Sequence, residues 1–502
     1  MKHLKTIALT ILILLVSALF TKVYALETVE VNNAEDFKTN ILEGKSIKIT
    51  DDFTIKEKII INNNQKLSID LNGHTITFEA GKRIEIDGGK LDLTGKGTMK
   101  ESSPYTSTIT LRGSTDKTAK DYSVLTVGEN VTLEGYYGTF VTVNDDKISN
   151  SFSYGVVINV NGTLIGKTKA TDRGSGIYVN GRNKNIENAA VINISKTAVI
   201  KAEGSGIYSA GYAVWNIDEA NINAEEGISV KAGKFVINNA VVNATGEKKN
   251  GVYNGNGIDQ TGSAIGVESN PGYAGNIDIT VNGGTLKSEK GRSLYTYQVT
   301  KNGSTVNNVK SIKIEGTKLQ DEVELAEDKD VLFKINKNAD TKTYVNDKEV
   351  EYASANDKVK VVVNPKENTY VKNIIVTNKA DSKVEVALNE NTFVMPLFEV
   401  NIDVTTLAVE ASTTSKTIST SLIDEKTYEI KTENNNKYVE IETTSFSEFE
   451  LTFLNVNNNA NTETEITNPQ TLDNIPTIIM VLLSSLTIFT LAFKTFKKRN
   501  NL

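Results

Sequence analysis

The sequence predicts an all-β protein whose larger part is a solenoid of short stacked strands. Short β-branched runs alternate with turns rich in Asn, Gly and Asp, and no convincing amphipathic helix separates them. A Gly-Ser-Gly-Ile-Tyr element occurs at Gly174–Tyr178 and again at Gly204–Tyr208. One coil of this kind cannot bury its own apolar face, so the coils have to stack.

The predicted strands are runs of three to six residues in which apolar positions alternate with polar ones. They fall at Lys66–Leu71, Arg83–Ile86, Lys90–Leu93, Val124–Val127, Asn130–Leu133, Val156–Val160, Val191–Ile194 and Ile277–Val281.

Looser copies of the repeated element predict further coils. They lie at Glu226–Ser229, Asn250–Tyr253 and Gly262–Gly266. The steps from Gly176 to Gly206, Gly227 and Gly251 are 30, 21 and 24 residues. Such a variable period is typical of a solenoid whose corner loops differ in length.

Two segments carry a resemblance to a known fold. Ala34-Glu35-Asp36-Phe37 resembles an N-terminal capping helix, and Asp70–Ile76 is similar to an early-coil signature of the pectate-lyase-like right-handed parallel β-helix. The resemblance covers residues 26–320 and implies a cap, roughly nine to twelve coils and left-handed Asn residues at bends. A set of β-sandwiches is the alternative, because short strands at regular spacing also suit that fold.

The chain changes in texture after residue 320. Residues 321–406 predict a compact β module, in which Phe393, Met395 and Pro396 resemble the Phe-x-Met-Pro of a repeat domain of bacterial surface proteins. Residues 407–456 predict a second small, sandwich-like β module. Residues 457–474 predict a polar linker, because they are low in hydrophobicity.

Both ends of the sequence predict export and anchoring. Residues 1–25 form a signal peptide with a small-x-small site that ends at Ala25. Residues 475–493 carry no charged side chain, which predicts a transmembrane helix, and residues 494–502 form a basic cytoplasmic tail. The remainder is therefore expected outside the cell. A retained N-terminal membrane helix is the alternative for the leader.

A short motif precedes the predicted membrane span. Asn468, Pro469, Gln470 and Thr471 resemble the NPQT-type cell-wall sorting signal of Gram-positive surface proteins, although Leu472 departs from that pattern. The resemblance implies that a sortase cleaves after Thr471 and joins the chain to peptidoglycan. A permanent single-pass anchor is the alternative.

Composition excludes several kinds of function. The chain has no Cys and two His, so it lacks material for a zinc site or for Ser-His or Cys-His catalysis, and no metal or cofactor is predicted. Its formal charge of −7 would repel phosphates, so nucleic acid is not an expected partner.

Carboxylates are the remaining catalytic candidates. Asp145–Asp146, Asp172–Arg173 and Glu225–Glu226 each lie beside a predicted corner. Neighbouring strand residues point to opposite faces, so we expect these pairs to be structural. His74 is expected to be a structural corner residue, because it follows the turn residues Asn72 and Gly73. No catalytic residue is predicted.

Aromatic side chains give the predicted ligand-binding residues, which are Tyr178, Tyr208, Tyr212 and Trp215. An aligned row of rings can bind a sugar by stacking or a protein by burying amphipathic area. The alternative is that Tyr178 and Tyr208 stack on each other and stabilise the coil.

These patterns together predict a non-enzymatic surface protein that displays a β-helix on β-module spacers for adhesion or for binding a glycan or host protein. A surface polysaccharide lyase or glycoside hydrolase is one alternative. A passive surface-coat component is the other.

Overall fold

The computed structural model describes residues 28–62, 64–142, 154–181, 187–253, 260–273 and 275–408, and five short strands between residues 417 and 454. The predicted signal peptide, linker, sorting motif, membrane span and basic tail lie outside the described residues. So does the Asp145–Asp146 pair. Among the described residues, no helix combines the length and the apolar character that a bilayer span needs.

The described chain begins with strand β1 (Thr28–Val31) and helix α1 (Ala34–Leu42). The side chain of Asn33 accepts a hydrogen bond from the backbone N–H of Asp36, which caps the first turn of the helix. Phe37 and Ile41 lie one turn apart on the buried face of α1. The helix therefore stands where the sequence predicts a cap.

Ten coils follow within the described residues, and almost every one contributes three strands. In order they are β2 Ser46–Ile49, β3 Phe53–Ile55 and β4 Ile59–Asn62; β5 Lys66–Asp70, β6 Thr75–Phe78 and β7 Ile84–Asp87; β8 Lys90–Thr94, β9 Gly97–Glu101 and β10 Ile109–Arg112; β11 Ser123–Val127, β12 Val131–Gly135 and β13 Tyr137–Thr142; β14 Val156–Val160, β15 Thr163–Gly166 and β16 Ser175–Val179; β17 Ala190–Ile194 and β18 Val199–Ser209; β19 Ala213–Asp218 and β20 Asn221–Val230; β21 Gly233–Asn238, β22 Val241–Glu247 and β23 Ile265–Ser269; β24 Ile277–Asn282, β25 Thr285–Lys290 and β26 Arg292–Gln298, with the hairpin β27 Thr300–Lys301 and β28 Ser304–Thr305; and β29 Val309–Glu315, β30 Lys318–Leu319 and β31 Glu322–Glu324.

Corresponding strands of successive coils pair in parallel and form three ladders. Ladder A contains β1 and the first strand of each coil, ladder B the second strands and ladder C the third. The long strands β18 and β20 each take part in ladder B with their first half and in ladder C with their second, which joins the two ladders in one sheet. This parallel stacking is a β-helix and confirms the predicted fold. The β-sandwich alternative for these coils is wrong, because a sandwich is built from antiparallel pairs.

Columns of apolar side chains point from each ladder into the core. Each fully buried side chain of this size contributes about 1.5–3 kcal/mol relative to an exposed one. In ladder A the register aligns Leu67, Leu91, Leu125, Ile158, Ile192, Trp215, Phe235, Ile279 and Ile312 in one column.

Left-handed residues turn the chain at several corners, as predicted for Asn at bends. Asn72, Asn188 and Asn239 have φ values of 46°, 56° and 51°. Asn adopts this left-handed region more readily than most other residues with a side chain, because its short side chain bonds to nearby backbone. In the corner that contains His74, Asn72 Nδ2 donates to the carbonyl of Ile49, which ties two coils together.

The repeated Gly-Ser-Gly-Ile-Tyr element is the same ladder C position in successive coils. Ile177 pairs with Ile207, Ile207 with Ile228, and Ile228 with Ile265. The coil after Gly227 therefore continues at Ala264. The predicted step to Gly251 is wrong, because Gly251 lies in the long corner between β22 and β23 and belongs to no strand.

Beyond the coils the described strands pair mostly in antiparallel fashion. They are preceded by a short 3-10 helix, Asp328–Asp330. The strands are β32 Val331–Asn336, β33 Thr341–Val345, β34 Lys348–Glu349, β35 Tyr352–Ser354, β36 Lys358–Val363, β37 Thr369–Asn378, β38 Glu385–Val386, β39 Leu388–Asn389, β40 Thr392–Val394, β41 Val400–Ala408, β42 Thr417–Thr420, β43 Lys426–Tyr428, β44 Ile430–Glu433, β45 Asn436–Val439 and β46 Leu451–Leu454.

Phe393 and Met395 are buried within this antiparallel region. Val359 of β36 pairs with Phe393 of β40, and the N–H of Met395 donates to the carbonyl of Asp357 at 2.8 Å. The conspicuous Phe-x-Met-Pro of the sequence thus supplies core side chains next to a strand end.

The chain divides into two compact units. The first contains the coils and most of the antiparallel strands up to Ile402. The second contains Asn338–Thr341, Val362–Ile375 and the described strands that follow Asp403.

Candidate functional site

A polar groove of about 550 Å³ runs across ladder B and the corner that leads to ladder C. We call it the Glu101 groove. It is lined by Thr77, Lys100, Glu101, Ser102, Pro104, Glu134, Gly135, Lys167, Thr168 and Glu203.

The floor of the Glu101 groove is a column of outward-facing side chains on ladder B. Thr77 of β6 pairs with Lys100 of β9, and Lys100 pairs with Glu134 of β12. Inward-facing Ile76, Met99 and Leu133 alternate with them in the core. The strand period therefore sets charged groups of opposite sign side by side on the surface.

One wall of the groove is a loop held by the carboxylate of Glu101. This side chain is buried and accepts hydrogen bonds from the backbone N–H groups of Gly81, Tyr105, Thr106 and Tyr136 at 2.9–3.3 Å. A buried carboxylate is stabilised when several donors satisfy it. Glu101 therefore fixes the shape of the groove.

The opposite side of the groove carries Lys167 and Glu203. Lys167 Nζ lies 3.4 Å from Glu203 Oε1, and the N–H of Thr168 donates to Glu203 Oε2 at 2.8 Å. The hydrogen bond from Thr168, reinforced by the charge of Lys167, holds the pKa of Glu203 below its usual range. Glu203 is therefore ionised at neutral pH and is an acceptor rather than an acid.

An exposed aromatic residue follows the lining residue Pro104 in the chain. Tyr105 follows Pro104 in the loop that Glu101 holds, and its side chain is 54% exposed. Lys169 Nζ lies 3.8 Å from the centroid of the Tyr105 ring and 5.9 Å from that of Tyr136. The cation–π contact covers one face of the ring and fixes its orientation.

The groove thus combines fixed acceptors, ammonium donors and a partly exposed ring. Such a set can hydrogen-bond the hydroxyl groups of a polar ligand and stack against its apolar face. None of the groove residues was a predicted site residue. Lys100, Glu134, Lys167 and Glu203 recur at roughly one-coil spacing, which is the signal that a coil-by-coil alignment of the sequence would use.

The predicted tyrosines Tyr178 and Tyr208 meet on ladder C. They pair in register, and their ring centroids are 4.6 Å apart. Tyr137 lies 4.5 Å from Tyr178 on the other side. Tyr208 is fully buried, and burial raises the pKa of both Tyr178 and Tyr208. The two rings pack against each other with 36° between their planes, which favours the alternative that they stabilise the coil.

The other two predicted aromatic residues lie elsewhere. Trp215 belongs to ladder A, is fully buried, stacks on Phe235 at 5.3 Å between centroids and donates from Nε1 to Ser209 Oγ at 3.1 Å. Its side chain points into the core because it occupies an inward position of β19, so it is not on a surface that a ligand can reach. Tyr212 is half-buried in the corner before β19.

Two of the predicted pairs, Asp172–Arg173 and Glu225–Glu226, are joined by one ion pair, but among the described residues their carboxylates do not form a cluster of three. Glu225 forms an ion pair with Arg173 at 3.5 Å near the surface, whereas Glu226 is fully buried and accepts a hydrogen bond from the hydroxyl of Thr261. Adjacent strand residues face opposite sides, which separates them.

His74 lies in a corner, as its position beside Gly73 predicts. Its Nδ1 is 3.2 Å from Asp52 Oδ1. The N–H of Thr75 also donates to that oxygen and, as the main cause, lowers the pKa of Asp52. Within the described ranges no three His, Cys, Asp or Glu side chains are grouped as a metal site.

Comparison with known proteins finds a similar solved structure and no matching family model or curated protein. Among solved structures the chain is similar to the crystal structure of the Dettilon tailspike protein, with 14% identity over 82% of this chain and 90% of that chain and a TM-score of 0.27. A likeness at this TM-score carries no inference, and the assignment of this chain as a parallel β-helix rests on its three ladders.

Proposed function

We propose that the chain is an exported, wall- or membrane-anchored surface protein that binds a glycan in the Glu101 groove. The observation that carries the proposal is a preformed polar groove, one of whose lining residues, Pro104, is followed by an exposed tyrosine. Adhesion is the expected consequence, since a β-helix on spacer modules would hold this groove away from the cell.

The groove suits a short saccharide in size and chemistry. Ligand pockets in proteins commonly measure about 300–1,000 Å³. Sugars present hydroxyl groups to charged donors and acceptors and an apolar ring face to aromatic side chains. Glu134 and Lys100 supply the polar part on the floor, and Tyr105 supplies the ring.

Binding rather than cleavage is supported by the state of the carboxylates. Glu101 is occupied by backbone donors, and the lowered pKa of Glu203 keeps it ionised. A general acid needs a raised pKa to hold its proton near neutral pH.

The test is a glycan-binding screen with the full chain and two groove variants. Tyr105→Ala and Glu134→Gln should each weaken binding of the best ligand about fivefold, since loss of one such contact costs about 1 kcal/mol. Tyr370→Ala is the matched control, because Tyr370 is also exposed but does not belong to the loop that Glu101 holds. Equal affinity in all three variants, or no glycan bound at all, would reject the groove as the site, and the second outcome would favour a passive coat component.

A surface polysaccharide lyase or glycoside hydrolase is the second candidate. It is favoured by the convergence of Glu101, Glu134 and Glu203 with Lys100 and Lys167 in one groove. Incubation of the chain with pectin, alginate and host glycans should release no unsaturated or reducing ends. Release that Glu134→Gln abolishes would establish the enzyme in place of the binding protein.

Anchoring is supported by the sequence of the two ends. Mass spectrometry of the wall fraction should find a mature N-terminus after Ala25 and a C-terminus at Thr471. Peptides from residues 494–502 in the mature protein would replace sortase attachment with a single-pass anchor.

A further inference from the structure

A lysine, a glutamate and an asparagine meet in a buried cluster beyond the stacked tyrosines of ladder C. Lys231 and Asn270 are fully buried, and Glu268 is 1% exposed. None of the three lines the Glu101 groove. Charged side chains at this depth are rare and are usually paired with a group of opposite charge.

One carboxylate holds both nitrogen groups of the cluster. Lys231 Nζ lies 3.1 Å from Glu268 Oε2, and Asn270 Nδ2 donates to Glu268 Oε1. The hydroxyl of Tyr297 also donates to Oε2, at 3.0 Å. The amine of Lys231 and the primary amide of Asn270 thus each contact one oxygen of the same carboxylate.

The ladder register produces this arrangement. Val230 of β20 pairs with Val267 of β23, so the residues that follow them, Lys231 and Glu268, lie beside each other on neighbouring coils. Asn270 is two residues beyond Glu268 and projects on the same side of the chain.

Aromatic rings shield the cluster from water. Lys231 Nζ lies 5.6 Å from the ring centroid of Tyr208 and 5.2 Å from that of Tyr273. Both rings are buried. The cluster is therefore enclosed by protein on the side that these two rings cover.

We propose that Lys231 and Asn270 form an intramolecular isopeptide bond with Glu268 as the proton carrier. The lone pair of Nζ attacks Cγ of Asn270 and forms the Nζ–Cγ bond. Glu268 passes protons from Nζ to Nδ2, the Cγ–Nδ2 bond breaks, and ammonium leaves. The products are a secondary amide and one ammonium ion, and the carboxylate returns to its starting form, so no further reactant is needed.

The carbonyl of Asn270 is prepared for this attack. Its Oδ1 accepts a hydrogen bond from the backbone N–H of Gly272 at 2.7 Å. A donor in this position stabilises the negative charge that develops on the oxygen in the tetrahedral intermediate. The geometry therefore supplies a nucleophile, a proton carrier and an oxyanion donor around one amide.

A competing loss of ammonia is blocked at the same residue. Asparagine commonly cyclises by attack of the next backbone nitrogen, but the next residue is Pro271, which has no N–H. Ammonia loss mapped to Asn270 is therefore diagnostic of attack by another amine.

The experiment is mass spectrometry of the purified full chain and of its proteolytic peptides. We expect an intact mass lower by one ammonia and a branched peptide that joins the segment containing Lys231 to the segment containing Asn270. The proposal would be overturned if the intact mass showed no loss of ammonia and if Lys231 and Asn270 were found in separate linear peptides.

Three variants separate the roles, with Lys234→Met as the matched control at an exposed position of β21. Lys231→Met and Glu268→Gln should abolish the branched peptide, the second while keeping both reacting groups. Asn270→Asp should form the same branch with loss of water instead of ammonia. The control should keep the branch. Formation of the branch at wild-type level in Glu268→Gln would reject the assigned proton carrier. The mapped peptide of the unmodified chain decides the bond itself even if a variant fails to fold.

Discussion

Glu85 shows how a buried negative charge is neutralised by neighbouring positive charges within the coils. Its side chain is 3% exposed and lies 2.6 Å from Arg112 Nε, 3.1 Å from a terminal nitrogen of Arg83 and 3.5 Å from Lys58 Nζ. Burial alone would raise the pKa of Glu85, but the hydrogen bond from Arg112 and the three positive charges outweigh it, so the net pKa is lowered. The cluster is stable only while the carboxylate is ionised.

The lowered pKa of Glu85 predicts the direction of a pH effect. A carboxylate with a depressed folded-state pKa stabilises the fold above its unfolded pKa of about 4.3, and the contribution is lost as the pH falls through the folded value. The urea midpoint should therefore fall as the pH drops below about 5. Glu85→Gln should lose about 3 kcal/mol at neutral pH and show a shallower decline in acid. Parallel curves for the two proteins would contradict this role.

Trp215 gives a direct report on the core of ladder A, since it is the one Trp in the sequence. It stacks on Phe235 with an angle of 6° between the ring planes. Phe235→Ala should destabilise the coils by about 3–5 kcal/mol, because it leaves a cavity beside a large ring. Unfolding followed by Trp fluorescence measures the change. Tyr105→Ala is the control at an exposed site and should stay within about 0.5 kcal/mol.

At the scale of elements, small residues mark the corner between ladders B and C. An added Cβ at Gly176 would meet the side chain of Ile200 at 2.3 Å, and one at Gly206 would meet that of Ile222 at 2.5 Å. Gly227 occupies the same register position in the next coil. The repeated glycine of the sequence therefore reflects close packing between two ladders rather than a turn.

This packing predicts the effect of Gly206→Ala. The added methyl group has no space beside Ile222 or the carbonyl of Gly227, so overpacking should cost about 1–3 kcal/mol. Ala264→Gly is the reverse change at the equivalent position, which already accommodates a Cβ, and should cost no more than about 1 kcal/mol. Thermal unfolding of both variants makes the comparison. Equal effects would show that the corner is not closely packed at Gly206.

The strands could be predicted because each short run carries its own alternation. All the predicted runs coincide with described strands within one or two residues, from Lys66–Asp70 to Ile277–Asn282. The register could not be predicted where a long corner loop intervenes. For that reason Gly251, rather than Ala264, was predicted as the next copy of the repeated glycine. The alternation within a strand does not show how long the next corner loop is, because the corner loops of a solenoid vary freely in length.

At the scale of the whole molecule, stacking creates the sites that no local pattern contains. Lys100, Glu134, Lys167 and Glu203 come from four coils, and Lys231 and Asn270 come from two. Tyr178 and Tyr208 are neighbours because both lie in the repeated element, and their predicted role in ligand binding stays a prediction. Trp215 was predicted as a surface residue because sequence alone does not tell the two faces of a strand apart when a Val and an Asn flank the ring.

The stacking of coils in this register is the claim on which both proposals depend, and engineered disulfides test it directly. The chain has no Cys, and Val157, Val191 and Val214 follow one another along ladder A. Neighbouring strands are about 4.8 Å apart, within reach of a disulfide, whereas strands two coils apart are about 9.6 Å away and exceed the limit of about 7 Å. Val191→Cys with Val214→Cys should oxidise to a disulfide, and Val157→Cys with Val214→Cys should stay reduced. Failure of the first pair to close, or equal closure of both pairs, would contradict the β-helix register.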